Sequence, residues 1–176
     1  MTDESTTGPA PVVRLVLLDT VVLRALLQHD RAAAGARTGL VFPGFFDSQD
    51  WLWRLHIDRM HDQPESTGWL ARAVVDQATG EVVGHAGFHF QPDADGMVEI
   101  GYTILPDRRG RGLAQATVTE LLAFAAADPR VRTVRASVSP DNAASLAVIA
   151  HHGFRHTGEQ WDDEDGLELL FERTPR

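Results

Sequence analysis

The chain has 176 residues and a mass of 19.3 kDa, with 43% hydrophobic and 23% charged residues, the proportions of one globular domain able to bury a single core. It contains no cysteine, and all 16 basic residues are arginine, which excludes disulfides, thiolate catalysis, thiolate metal sites, Schiff-base chemistry and a lysine-dependent P-loop. A net charge of −9 and a pI near 5.2 argue against general nucleic-acid binding and favour a cationic partner.

Met1 to Pro11 is polar and acidic, without the basic start and apolar run of a secretory signal, and is expected to be a disordered tail before a single domain over 12–174. No apolar stretch approaches membrane-span length, so a soluble, cytoplasmic protein is expected. Val12 to Leu18 reads as a strand, and Asp19 or Thr20 as the cap of a helix reaching Gln28. Asp30 to Phe46 reads as irregular, and Asp47 or Ser48 as the cap of a helix from Gln49 to His61, ended by Pro64. Trp69–Val75 and Glu81–Phe90 are β-rich runs around the turn Gln77-Ala78-Thr79-Gly80, and a second turn over 92–96 leads into the strand Met97–Leu105.

The segment 106–112 then opens a helix over Leu113–Ala127 with an apolar stripe of Ala114, Val118, Leu121, Leu122 and Ala125. Val131–Val138 is a strand, and Ser139-Pro140-Asp141-Asn142 begins a helix that stops at Gly153. Phe154–Arg173 reads as a hairpin around the acidic turn Asp162-Asp163-Glu164-Asp165. The resulting fold class is mixed α/β: a mostly antiparallel sheet of about seven strands with helices on both faces.

The informative segment is Arg108-Arg109-Gly110-Arg111-Gly112-Leu113-Ala114, where a strand gives way to a helix. Glycines there let several backbone N–H groups converge, and the helix start adds partial positive charge, the makings of a phosphate site. A dinucleotide fingerprint would need glycine where Gln115 stands, and a P-loop needs a lysine. The bland alternative is a solvated loop before a helix.

Arg109-Gly110-Arg111-Gly112-Leu113-Ala114 resembles the Q/R-x-x-G-x-G/A signature of the GNAT acetyltransferase superfamily at every specified position. Val98 to Pro106 resembles the strand that leads into that loop, and Asn142-Ala143-Ala144-Ser145, with Gly153-Phe154 beyond, is similar to a second family motif. The wording Glu99-Ile100-Gly101-Tyr102 is similar to the branch that acetylates ribosomal-protein N-termini. The resemblance covers roughly Trp69 to Phe171 well and the first two helices weakly.

It implies an N-acetyltransferase with acetyl-CoA as co-substrate and no metal. Arg109, Gly110, Arg111, Gly112, Leu113 and Ala114 inherit the pyrophosphate site, and the backbone near Ile104 the pantetheine arm and acetyl carbonyl. Asn142 and Ser145 match positions that face the cofactor arm, and Asn142 also reads as a helix cap. The family's usual tyrosine acid falls at Ile149 here, which leaves Ser145 or water as the proton donor; the only tyrosine is Tyr102.

Glu99 is the candidate base, acting through water, because it is the one acid in an apolar run and shares a side with Gly101 and Thr103. The alternative is a strand-end carboxylate in solvent. An α-amine of pKa about 8 is partly neutral near pH 7.4, whereas freeing a lysine amine adds about 4 kcal/mol to the barrier against about 1. A protein or peptide α-amine is therefore the expected acceptor. A small amine, such as a polyamine or amino-sugar antibiotic, and a non-catalytic acyl-CoA-binding module are the alternatives.

His85 and His89, four apart on one strand, stand about 13 Å apart on a shared face, too far for one metal. His151 and His152 lie at a helix C-terminus, where histidine is a favourable dipole partner. Trp51, Trp53 and His56 lie on a helix apolar on two sides, which needs a cover from the core, the acceptor or the second subunit of a homodimer.

Overall fold

The computed structural model describes residues 10–163 and 166–176. Seven strands, β1 (Val13–Leu17), β2 (Arg72–Asp76), β3 (Val82–Phe88), β4 (Met97–Ile104), β5 (Thr133–Val138), β6 (Arg155–Asp162) and β7 (Gly166–Arg173), form one sheet in the order β1-β2-β3-β4-β5-β7-β6. Every neighbouring pair is antiparallel except β4 with β5. Helices α1 (Thr20–Leu27), α2 (Arg31–Thr38) and α3 (Asp50–Asp62) follow β1, α4 (Leu113–Ala127) joins β4 to β5, and α5 (Ala143–His151) joins β5 to β6. This is the mixed α/β sheet expected from the sequence.

Alternation along the strands sorts the apolar side chains into two cores, one on each face. Val74 joins Val83, Ile100, Val118 and Ile149 beneath α4 and α5, while its neighbours Ala73 and Val75 join Leu23, Phe46 and Trp53 beneath α1 to α3. Trp53 is fully buried, stacked on Phe46 and donating its indole N–H to the Phe46 carbonyl at 2.9 Å. On α4 the inward row is Leu113, Thr117, Val118, Leu121, Leu122 and Ala125; Ala114, expected in that stripe, is only half-buried.

Local chemistry corrects the reading of 30–46 as irregular. Asp30 caps α2 by accepting the Ala33 N–H at 2.9 Å, and Gly39, at φ 72°, ends the helix with its N–H on the Gly35 carbonyl. Only Ala34 of α2 is buried, so the helix has no apolar periodicity to read. Asp47 and Ser48 do not cap α3; they lie in a 3-10 turn over Gly44–Ser48, and Gln49 precedes the helix without a side-chain cap bond. Asp19 does cap α1, accepting the N–H groups of Val21 and Val22 at 3.0 Å.

Of the tail expected over Met1 to Pro11, residues 1–9 lie outside the described residues, as do Glu164 and Asp165 of the acidic turn. Pro11 lies against Gly112, where an added Cβ would meet its ring at 3.3 Å.

The feature that positions the site is a parting of the sheet. β4 and β5 pair through Met97, Val98 and Glu99 with Thr133, Val134 and Arg135, and the remainder of each strand runs on without this partner. The Leu105 N–H and the Glu99 carbonyl bond toward β3, to Val83 and His89. By alternation, the backbone groups of Ile100, Tyr102 and Ile104 point into the gap.

Candidate active site

Two clefts meet in that gap. The first, about 490 Å³, lies between the end of β4, the start of α4 and the start of α5. Ile104, Arg109, Gly110, Gly112, Leu113 and Ala114 line it, as do Asn142 and Ser145. Gly112, at φ 76°, forms the N-cap of α4 in a backbone state that side chains resist, and frees the first turn's N–H groups to face the cleft. Arg109 ties the turn to β4 by donating its Nε–H to the Ile104 carbonyl at 3.1 Å. Arg111 lies off the cleft wall, its guanidinium on the Asp107 carbonyl at 3.3 Å. Arg108 lines the cleft in its place, paired with Glu81 at 2.9 Å.

These parts suit a long phosphorylated thioester such as acetyl-CoA. A glycine-rich helix start with arginines accepts phosphate, and the Tyr102 backbone with the Ile104 N–H can bond an amide-bearing arm laid along the gap. Among the described residues no group of three or more His, Asp or Glu side chains is placed to hold a metal ion.

The second cleft, about 760 Å³, lies on the α3 face of the sheet. Glu99 lines it and accepts the Ser137 hydroxyl at 2.6 Å, with His89 Nδ1 at 3.7 Å. Its side chain is 18% exposed, so it is a cleft residue and not a solvated strand end. Arg59 of α3 donates to the His89 carbonyl at 3.2 Å and lies over the Phe90 ring; burial lowers its pKa and the Glu99 charge opposes that. Trp51 lines the same cleft and is largely exposed, whereas Trp53 also reaches its wall from the core.

Both clefts share Tyr102, Thr103, Asn142 and Ser145. Asn142 is the cap of α5, accepting the Ser145 N–H at 3.0 Å, and this bond fixes the serine at the junction. The Tyr102 hydroxyl is buried beside Ser145 without completing a hydrogen bond. Burial raises its pKa and the nearby Ser145 hydroxyl partly offsets the rise, so it stays protonated at neutral pH. Ile149 is fully buried in the core and offers nothing to the cleft.

His56 of α3 and His85 of β3 sit on the second cleft's wall, each 8% exposed, and neither imidazole has a hydrogen-bond partner among the described residues. Burial lowers His85 to about 4; burial, then the charges of Arg59, His85 and His89, lowers His56 to about 3. An unpaired buried polar group costs about 1–3 kcal/mol, so the pair calls for an explanation. By contrast His152 is held at the end of α5 by the Val148 carbonyl and Thr119, away from both clefts. Sequence reasoning weighed His85 only as a metal ligand; its place opposite Thr103 follows from the β3–β4 register, which no local motif encodes.

A parted sheet with a phosphate-accepting helix start in one cleft and a carboxylate in the other defines an acyl-group transferase of the acetyl-CoA type. Residues 21–155 match the acetyltransferase (GNAT) domain family model, and the chain belongs to that family. It is 25% identical over 147 residues to the uncharacterized N-acetyltransferase YjdG of Bacillus subtilis, covering 81% of this chain and 85% of that protein. It is 27% identical over 100 residues to the uncharacterized N-acetyltransferase p20 of Bacillus licheniformis, a match spanning 57% of this chain and 56% of p20. Mycobacterium smegmatis RimJ, solved with CoA-disulfide, has the same fold with a TM-score of 0.64 and 24% identity, over 94% of this chain and 83% of its own.

Proposed function

We propose that this protein is a cytoplasmic, acetyl-CoA-dependent N-acetyltransferase whose acceptor is the α-amine of a protein or peptide. The observation that carries the reading is the junction of the two clefts at Tyr102, Thr103, Asn142 and Ser145, where a thioester in one meets an amine in the other. Bound acetyl-CoA supplies the activated acetyl group. The start of α4 with Arg108 and Arg109 holds its phosphates, and Arg111 adds charge from outside the wall. The N–H groups of Tyr102 and Ile104 align the arm and polarise the carbonyl, as oxyanion donors do.

Glu99, oriented by Ser137, accepts the amine's proton through water. Ser145 delivers a proton to the departing sulfur, with the Tyr102 hydroxyl behind it as the reserve. An α-amine fits a site whose proposed base, Glu99, is a carboxylate, because little work is needed to neutralise it. The cleft also carries Asp162 and Glu168 beside Glu99, and this acidic lining favours as second reading a small cationic amine, a polyamine or amino sugar. A non-catalytic acyl-CoA module would bind without turnover.

Thermal unfolding with and without acetyl-CoA tests the cofactor site. At about 100 times its Kd a ligand adds roughly 2.7 kcal/mol, expected to raise Tm by roughly 5–10 °C, and the Arg109→Ala, Gly112→Asp double variant should lose the shift. CoA release on addition of peptides or small amines then separates the acceptors. Absence of a shift at millimolar acetyl-CoA in folded protein overturns the reading.

A further inference from the structure

We propose that His56 and His85 form a subsite for an uncharged hydroxyl on the carbon next to the one bearing the acceptor's amine. The acceptor is then a vicinal amino alcohol, either a peptide beginning with serine or threonine or an amino sugar. This inference rests on the transferase reading and narrows its substrate. Both rings lie on the wall of the second cleft, both are almost wholly buried, and neither nitrogen of either ring meets a partner among the described residues. Such groups are paired in folded proteins unless a ligand or water supplies the partner.

The chemistry of the pair selects the ligand. Each imidazole is neutral in the folded chain and therefore offers one donor and one acceptor. An ammonium only donates and a carboxylate only accepts, whereas a hydroxyl does both. Arg59 lies close enough to disfavour positive charge on His56, and so disfavours a second cationic group there. Phe45, Phe46 and Trp53 surround the His85 ring at centroid separations of 5.4–6.4 Å, an apolar setting in which an uncharged hydroxyl is the least costly polar group to bury.

Position sets the reach. His85 stands directly across from Thr103, a residue of the cleft junction, and such cross-strand pairs have Cβ atoms about 5 Å apart. A hydroxyl one carbon from an amine at the junction therefore falls over the imidazole. The next pair along is Gly87 opposite Gly101, and the His89 ring lies over Gly101, with its Nε2 3.4 Å from where a Cβ would stand, between this subsite and Glu99.

The test is CoA release by the purified full chain with peptides differing only in the first residue, serine or threonine against alanine or valine, and with glucosamine against cyclohexylamine. The hydroxyl-bearing member is expected to have a kcat/KM at least about tenfold higher. A preference in the peptide series identifies a peptide acceptor, and one confined to the second pair identifies a sugar. His56→Phe and His85→Phe should bring the ratio near one, while His85→Gln, which keeps a donor and an acceptor, should retain part of it. An unchanged Tm shift with acetyl-CoA reports that each variant is folded. A ratio near one in the native protein, or one surviving both phenylalanine variants, overturns the inference while the transferase stands. Acetyl-CoA binding with no CoA release from any amine overturns both.

Discussion

Burial leaves His56 and His85 neutral when folded, but each takes a proton freely once the chain unfolds. Because their folded pKa values, about 3 and about 4, lie below the ordinary 6.5, the unfolded chain binds more protons as pH falls. Their contribution is fully present above about pH 6.5 and is lost progressively as pH drops toward 4 and then 3. For His85 alone the span is on the order of 3 kcal/mol. Urea unfolding at pH 7.5, 5.5 and 4.5 should show falling stability, with a shallower fall in His85→Phe. A second expectation at this scale concerns the proposed base: Glu99→Gln should lower kcat/KM by about 10²–10⁴ while leaving the acetyl-CoA Tm shift intact. The place of Glu99 in a cleft was legible in the sequence because a lone acid stands out in an apolar strand. The histidines were not, because their meaning depends on which residue faces them across the sheet.

Among the elements, the start of α4 is the most demanding. Gly112 sits at φ 76° with Pro11 at 3.3 Å from where a Cβ would stand, so Gly112→Ala meets both backbone strain, about 1–2 kcal/mol, and a neighbour that must move. Thermal unfolding should show a lower Tm and a smaller acetyl-CoA shift than the native chain. The start of α5 makes a similar point through a side chain. Asn142→Ala removes the cap on Ser145, costs about 1 kcal/mol, and should lower kcat more than that loss implies, since the serine loses its anchor. The strand-to-helix turn and both of these helix starts were legible because glycines, arginines and a capping asparagine write their geometry locally. α2 was not, since its Ala-Gly-rich surface carries no apolar period and only Asp30 and Gly39 mark its ends.

At the scale of the whole molecule, the sheet is two ladders, β1 to β4 and β5 to β7, joined by three residue pairs. Strand order and the parting depend on tertiary pairing, which is why the sequence yielded the strands and not the gap between them. The gap has a consequence for exchange with solvent deuterium. Amides of Tyr102 and Ile104 belong to a strand in the middle of the sheet, yet they lack the ladder bonds that slow exchange at such positions. They should exchange in the free protein as sheet-edge amides do, faster than Val98 four and six residues earlier on the same strand. Adding acetyl-CoA should slow them more than any other amides of β4, the ligand then acting as an eighth strand that closes the seam.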